Sequence, residues 1–198
     1  MERLNPENIN KPELAFKFFT ERWRGMLHWC DWARFRALNK YYKGGKYLDA
    51  GCFNSPMPFE LTRDGHKEIT AIDYSPELIG ALKEKFPEVD YQVMDVNDMS
   101  FGAEAFDYVV AGELIEHMEN PEATLKELLR VLKVGGTLAI STPLNEIQRG
   151  SVSNEHLWSF SSSDIIKILS PYGDVEIQYY QDTVPLIMAF VKKTNDVK

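Results

Sequence analysis

The chain has 198 residues, of which 44% are hydrophobic and 26% charged. This is the balance of one globular domain of ~100–200 residues, and it excludes a disordered or low-complexity chain. Acidic residues outnumber basic ones 30 to 22, for a formal net charge of −8. Such a field repels phosphate backbones, so nucleic acid is disfavoured as a partner and a small or cationic ligand suits the chain better.

From Pro12 to Tyr42 aromatic residues (Phe16, Phe18, Phe19, Trp23, Trp29, Trp32, Phe35, Tyr41, Tyr42) are interleaved with charges, which suits amphipathic helices, and Gly44-Gly45 closes the segment. Lys46–Ala50 reads as a first strand and Glu68–Tyr74 as a second, with a turn-rich loop and a short helix ending near Asp64-Gly65 between them. Ser75-Pro76 opens a helix by supplying an N-cap and a proline at the first helical position, and Leu78, Ile79, Leu82 and Phe86 form its apolar face. Val89–Met94 is a third strand and Phe106–Ala111 a fourth. Asn120-Pro121 starts another helix, with Leu125, Leu128, Leu129 and Leu132 on one face and Gly135-Gly136 as its expected terminator. Thr137–Thr142 is a fifth strand, Ser161 with Asp164 resembles a capping box, and Asp174–Tyr180 and Val184–Lys192 are the last two strands.

Strands alternating with helices predict an α/β fold, a Rossmann-like doubly wound sheet of about seven strands. It is mostly parallel, with an antiparallel hairpin at its C-terminal edge because only a short turn joins the last two strands. Residues 1–43 are expected to form an N-terminal helical cap or lid over a core of residues 44–198. The opening MERLNPENIN lacks a secretory signal, and the apolar run Val184–Val191 falls well below the ~20 residues that a spanning helix needs. Two cysteines, Cys30 and Cys52, give no disulfide framework and fit a reducing compartment. A cytoplasmic location without a membrane partner follows as an expectation.

Open α/β sheets bind ligands beyond the carboxyl ends of their strands. Asp49, Asp73 and Asp95 sit at three consecutive strand ends, and Gly51 after the first permits a tight turn and close backbone approach. At the second position an acidic side chain can accept both hydroxyls of a ribose, and at the third it can accept from an exocyclic amine such as that of adenine. The bland alternative is that each is a turn residue or helix cap.

The segments YLDAGC, ITAIDYSPELI, VDYQVMD and FDYVVAGELIEHMENPEATLKELLRVLKVGGTLAISTP resemble the class I S-adenosylmethionine (SAM) dependent methyltransferases, in particular the ubiquinone-methyltransferase-like group, over about residues 44–192. The resemblance implies that Gly51 and Cys52 approach the methionine part of SAM beside Asp49. It places Asp73 and Tyr74 at the ribose and Asp95 with the Val96 backbone at adenine. Gly112 and Glu113 would border the sulfonium. One departure stands out: Phe53 and Ser55 occupy positions where the family usually has glycine, so this loop must be bulkier. The same departure counts against a nicotinamide oxidoreductase, whose GxGxxG turn needs those glycines.

Glu113, Glu116 and His117 are spaced i, i+3, i+4 and would share one face of a helical turn after strand four, while His156 follows strand five on the same side. Three readings stay open. His117 or His156, with Glu116, takes the proton of the methyl acceptor. Glu113, Glu116, His117 and His156 bind a divalent cation such as Mg²⁺, as some relatives do. Or Glu116 and His117 only hold the loop by hydrogen bonds. The expected function is methyl transfer from SAM to a small-molecule acceptor at oxygen. The alternatives are a catalytically silent SAM-binding subunit and a nicotinamide-dependent oxidoreductase.

Overall fold

The computed structural model describes residues 1–3, 29–149, 155–181 and 185–194. Its first elements are β1 (Glu2–Arg3), α1 (Trp29–Leu38), β2 (Tyr47–Ala50), α2 (Met57–Arg63), β3 (Ile69–Asp73), α3 (Pro76–Lys85) and β4 (Asp90–Val93). There follow β5 (Phe106–Gly112), a 3₁₀ turn (Ile115–His117), α4 (Pro121–Val131), β6 (Leu132–Pro143) and α5 (Glu146–Arg149). The chain then forms β7 (Trp158–Ser159), α6 (Ser162–Leu169), β8 (Val175–Tyr180) and β9 (Leu186–Lys192).

Seven strands make one sheet in the order β4-β3-β2-β5-β6-β9-β8. The neighbours from β4 to β6 run parallel, whereas β9 runs antiparallel to both β6 and β8. This is the doubly wound sheet with an antiparallel edge hairpin that the pattern predicts. Starts of helices follow the expected capping chemistry. Ser75 Oγ accepts from the Leu78 amide at 3.3 Å, and Asn120 Oδ1 accepts from the Ala123 amide at 3.1 Å. Ser161 and Asp164 complete a reciprocal capping box, with bonds of 3.2 and 2.8 Å.

Side chains alternate across the sheet, as a period of two requires. Leu48, Ala50, Val109, Ala111, Leu138 and Ile140 join Leu125, Leu128 and Leu129 of α4 and Ile165 and Leu169 of α6 in one core. Tyr47, Ala71, Tyr108, Val110 and Ala139 face the opposite core, with Phe35 and Leu38 of α1 and Leu78, Ile79 and Leu82 of α3. Each fully buried leucine contributes about 1.5–3 kcal/mol, so the paired cores hold the strand ends in a fixed row.

The expectation that Gly135-Gly136 terminates a helix is corrected. α4 ends at Val131 and Leu132 is already strand. The register jumps from Phe106 opposite Leu132 to Tyr108 opposite Thr137, so residues 133–136 bulge out against Asp107. Gly135 has φ +84, and a Cβ on Gly136 would lie 2.8 Å from the Asp107 carbonyl oxygen. The glycines therefore serve a bulge. The short pieces β1, β7 and α5 carry no periodicity and were not predicted. Of the expected 1–43 cap, Phe16, Phe18, Phe19 and Trp23 lie outside the described residues; α1 is described and packs Phe35 and Leu38 into the core. No helix among the described residues is long and apolar enough to cross a membrane.

Candidate active site

The parallel register sets Asp49 between Ala71 of β3 and Val110 of β5, while Asp73 pairs with Val93 of β4. Asp49 is buried and its Oδ2 has no hydrogen-bond partner among the described residues. Burial pushes its carboxyl up to about 7; the neighbouring Asp73 adds to the rise and a hydrogen bond from Ser55 opposes it. After β2 the chain turns at Gly51, φ +68, where a Cβ would lie 2.7 Å from Leu114 Cδ1. The Cys52 amide then donates to the Ile72 carbonyl at 2.8 Å.

Phe53 stands where the family usually has glycine, and its φ is +39. A bulky residue thus adopts the left-handed backbone that glycine reaches without strain. The turn is held by the Asp73 carboxylate, which accepts from the Phe53 amide at 3.1 Å and from the Ser75 amide at 3.0 Å. Burial raises the Asp73 carboxyl above its ordinary range, against the pull of these amides and that of Tyr74. The structure therefore brings Asp49 and Asp73 together beneath one loop. Tyr74 beside them is exposed. Asp95 lies past the end of β4, exposed, with its Oδ1 accepting from the Asn97 amide at 2.8 Å and from Asn97 Nδ2 at 3.0 Å. Next to it, Val96 is buried.

Beyond the fourth parallel strand the arrangement changes character. Gly112 pairs with Ser141 of β6, and a Cβ there would lie 3.3 Å from Leu38 of α1. Glu113 has φ +52, so it sits outside the helical turn and does not share the face of the residues after it. Its carboxylate accepts from Ser141 Oγ at 2.8 Å and lies 3.9 Å from the Arg34 guanidinium. The expected set of four is thereby reduced. One potential ligand atom from each of Glu116, His117 and His156 lies within 4.8 Å of the others, and Glu113 stands apart.

Glu116 is fully buried, and neither carboxylate oxygen has a hydrogen-bond partner among the described residues. Burial, reinforced by Glu113, pushes its carboxyl well up. His117 lies edge-to-face with His156, with ring centroids 4.8 Å apart. Burial and then His156 push His117 down to about 4. His117 Nδ1 is 3.0 Å from the Glu155 carbonyl oxygen, and His156 Nδ1 is 2.7 Å from Glu146 Oε2.

Main-chain bonds bring these distant segments together. The Leu157 amide donates to the Glu116 carbonyl at 2.7 Å, and Trp158 Nε1 donates to the Met118 carbonyl at 2.7 Å. The segment 155–158 is thus fastened along the turn 116–118. Sequence reasoning missed Glu146; the available signal was an acidic residue just past the carboxyl end of β6. It also missed Arg34 and Ser141, which have no local signature.

Residues 48–140 match the family described as Methyltransferase domain. The ubiquinone biosynthesis O-methyltransferase of Xanthomonas oryzae pv. oryzae is 36% identical over 104 residues, covering 50% of this chain and 43% of that protein. The protein of the same name from Coxiella burnetii is 29% identical over 152 residues, covering 70% and 64%. The chain thus spans 43% and 64% of the length of these two relatives. The N-methyltransferase NodS from Bradyrhizobium japonicum WM9, in complex with S-adenosyl-L-homocysteine (SAH), superposes with a TM-score of 0.73 at 18% identity, over 91% of this chain and 99% of that one. At that identity the likeness is one of fold. Residues 48–140 thus carry the pattern of a methyltransferase domain, set on the fold that solved methyltransferases share. The relatives it resembles in sequence are the ubiquinone biosynthesis O-methyltransferases just described. The match to a methyltransferase domain counts against the nicotinamide alternative.

Proposed function

We propose that this chain transfers a methyl group from SAM to an oxygen of a small-molecule acceptor, with residues 1–43 acting as a cap over the site. The strand tips suit the cofactor by their donor set: a buried carboxyl with an orphaned oxygen at Asp49, a second carboxylate held rigid by backbone amides at Asp73, and a left-handed glycine turn between them. In this reading Asp73 accepts from the ribose hydroxyls, with Tyr74 alongside. Asp95 and the Val96 backbone read adenine, Gly51 and Cys52 pass close to the methionine part, and Gly112 borders the sulfur. SAM supplies an electrophilic methyl group. The protein's share is alignment of the acceptor, worth up to ~7–11 kcal/mol of barrier.

The observation that carries the acceptor side is the buried carboxylate of Glu116, without a hydrogen-bond partner among the described residues, beside two imidazoles. A buried unpaired carboxylate costs several kcal/mol and persists where a cation or proton offsets it. A group pushed down to about 4 is a poor proton acceptor at neutral pH but a ready lone-pair donor, which favours a ligand role over a base role for His117. We therefore assign Glu116, His117 and His156 as ligands of a divalent cation such as Mg²⁺. A cation there would orient an oxygen nucleophile and favour loss of its proton. Glu113, bonded to Ser141 and near Arg34, would shape the wall instead.

The test uses the purified chain with radiolabelled SAM and a panel of hydroxylated aromatic acceptors. SAH should raise Tm, a methyl ether should form, EDTA should abolish transfer and Mg²⁺ should restore it. In His117→Ala, turnover should fall further than SAM affinity. SAM binding without transfer to any acceptor would make the chain a silent subunit. Transfer indifferent to EDTA would return the proton to a histidine base.

A further inference from the structure

Glu146 has no place in the sequence motifs, yet it is one of the most buried carboxylates among the described residues, at 2% exposure. It opens the four-residue helix α5 just past the carboxyl end of β6. The backbone around it is fixed from two sides. The Leu144 amide donates to the Pro185 carbonyl at 2.9 Å, and the Asn145 amide donates to the Phe160 carbonyl at 2.9 Å. Asn145 itself takes φ +48, which turns the chain so that Glu146 enters the interior. There its Oε2 meets His156 Nδ1 at 2.7 Å, with side-chain exposures of 3% and 15%.

We propose that Glu146 is a positioning residue for His156, holding the imidazole in the Nδ1–H tautomer so that Nε2 presents its lone pair to the Glu116–His117 side. An ionised carboxylate only accepts hydrogen bonds, so the proton of this short contact resides on the imidazole nitrogen. A neutral ring protonated at Nδ1 carries its lone pair at Nε2, whereas free imidazole side chains favour the opposite tautomer. Glu146 therefore reverses an intrinsic preference and locks the ring plane. It completes a symmetry across the site: His117 is oriented by a backbone carbonyl at Nδ1, and His156 is oriented by a side chain at Nδ1. Carboxylate partners of this kind both orient a histidine and strengthen its remaining lone pair.

This inference rests on the reading of Glu116, His117 and His156 as the acceptor side of the site, and two separate readouts distinguish their failures. The first is ¹⁵N-histidine NMR of the full chain at about pH 8, with His156 assigned by its loss in His156→Gln. Wild type should show the neutral Nδ1–H signature, and Glu146→Ala should move it toward Nε2–H. A wild-type His156 in the Nε2–H form, or an Nδ1–H form that survives Glu146→Ala, overturns the proposal. The wild-type spectrum decides this even if the variant does not fold. The second readout is turnover. Outer partners of functional histidines typically cost about 10–100-fold when removed. Glu146→Ala should fall in that range with SAM affinity changed less than about twofold, and Glu146→Asp should recover part of the loss. A tautomer shift with full turnover would retain the positioning role and remove His156 from the chemistry.

Discussion

Replacing Asp49 by asparagine tests how the strand tips are held before any ligand arrives. The carboxyl is buried between β3 and β5, and its Oδ2 lacks a partner among the described residues. Its pKa rises from the ordinary 3.8 to about 7. At ~1.4 kcal/mol for each tenfold change in proton affinity, ionising it within the fold costs about 4 kcal/mol. The sign follows from proton counting. Between pH ~4 and ~7 the folded chain holds a proton that the unfolded chain has lost, so stability from this group falls as pH rises through that window and is lost above it. Asparagine keeps the shape and cannot ionise. Urea denaturation followed by tryptophan fluorescence, at about pH 4.5 and about pH 8.5, measures the difference. Asp49→Asn should be close to wild type at the lower pH and more stable by up to about 4 kcal/mol at the higher, on the same proton linkage. The charge of Asp73 adds to the rise at Asp49, so relief of that repulsion is part of the difference measured. Parallel pH curves for the two proteins, or a variant less stable at about pH 8.5, would refute the burial reasoning.

Asp73→Ala should weaken SAM binding by about 1.5–3 kcal/mol, the worth of a hydrogen bond to a charged acceptor, read by calorimetry; an unchanged Kd would remove Asp73 from the ribose. Gly51→Ala should destabilise the chain by about 1–3 kcal/mol, since alanine must hold a strained backbone and its Cβ would lie 2.7 Å from Leu114. A Tm equal to wild type would contradict the turn geometry.

How much of this could be read from the sequence differs by element. The central strands and the caps at Ser75, Asn120 and Ser161 were legible because local chemistry decides them: hydrophobic runs for the strands, and a side-chain oxygen three residues before an orphan amide for the caps. The pair Gly135-Gly136 misled because a helix stop and a strand bulge both need positive φ or missing Cβ atoms, and only the register of β6 against β5 separates them. Asp49, Asp73 and Asp95 were singled out by counting strand ends; the structure sets the first two beneath one loop and leaves Asp95 exposed past the end of β4. Grouping Glu113 with Glu116 and His117 failed because it assumed one continuous helical turn, while the backbone at Glu113 is left-handed. Glu146 went unread, although it lies just past a strand end, for another reason. Its partner His156 meets it through a tertiary contact, and a four-residue helix leaves no periodic trace.

The stitching of residues 155–158 onto the turn 116–118 uses a main-chain carbonyl in each of its three bonds, met once by the Leu157 amide and otherwise by the rings of Trp158 and His117. The side chains of Met118 and Glu155, which lend only their carbonyls to the seam, can therefore change while its bonds persist. On the proposed function, a change of acceptor then has a route that leaves the two rings in place: the walls can be rewritten residue by residue while the anchor holds.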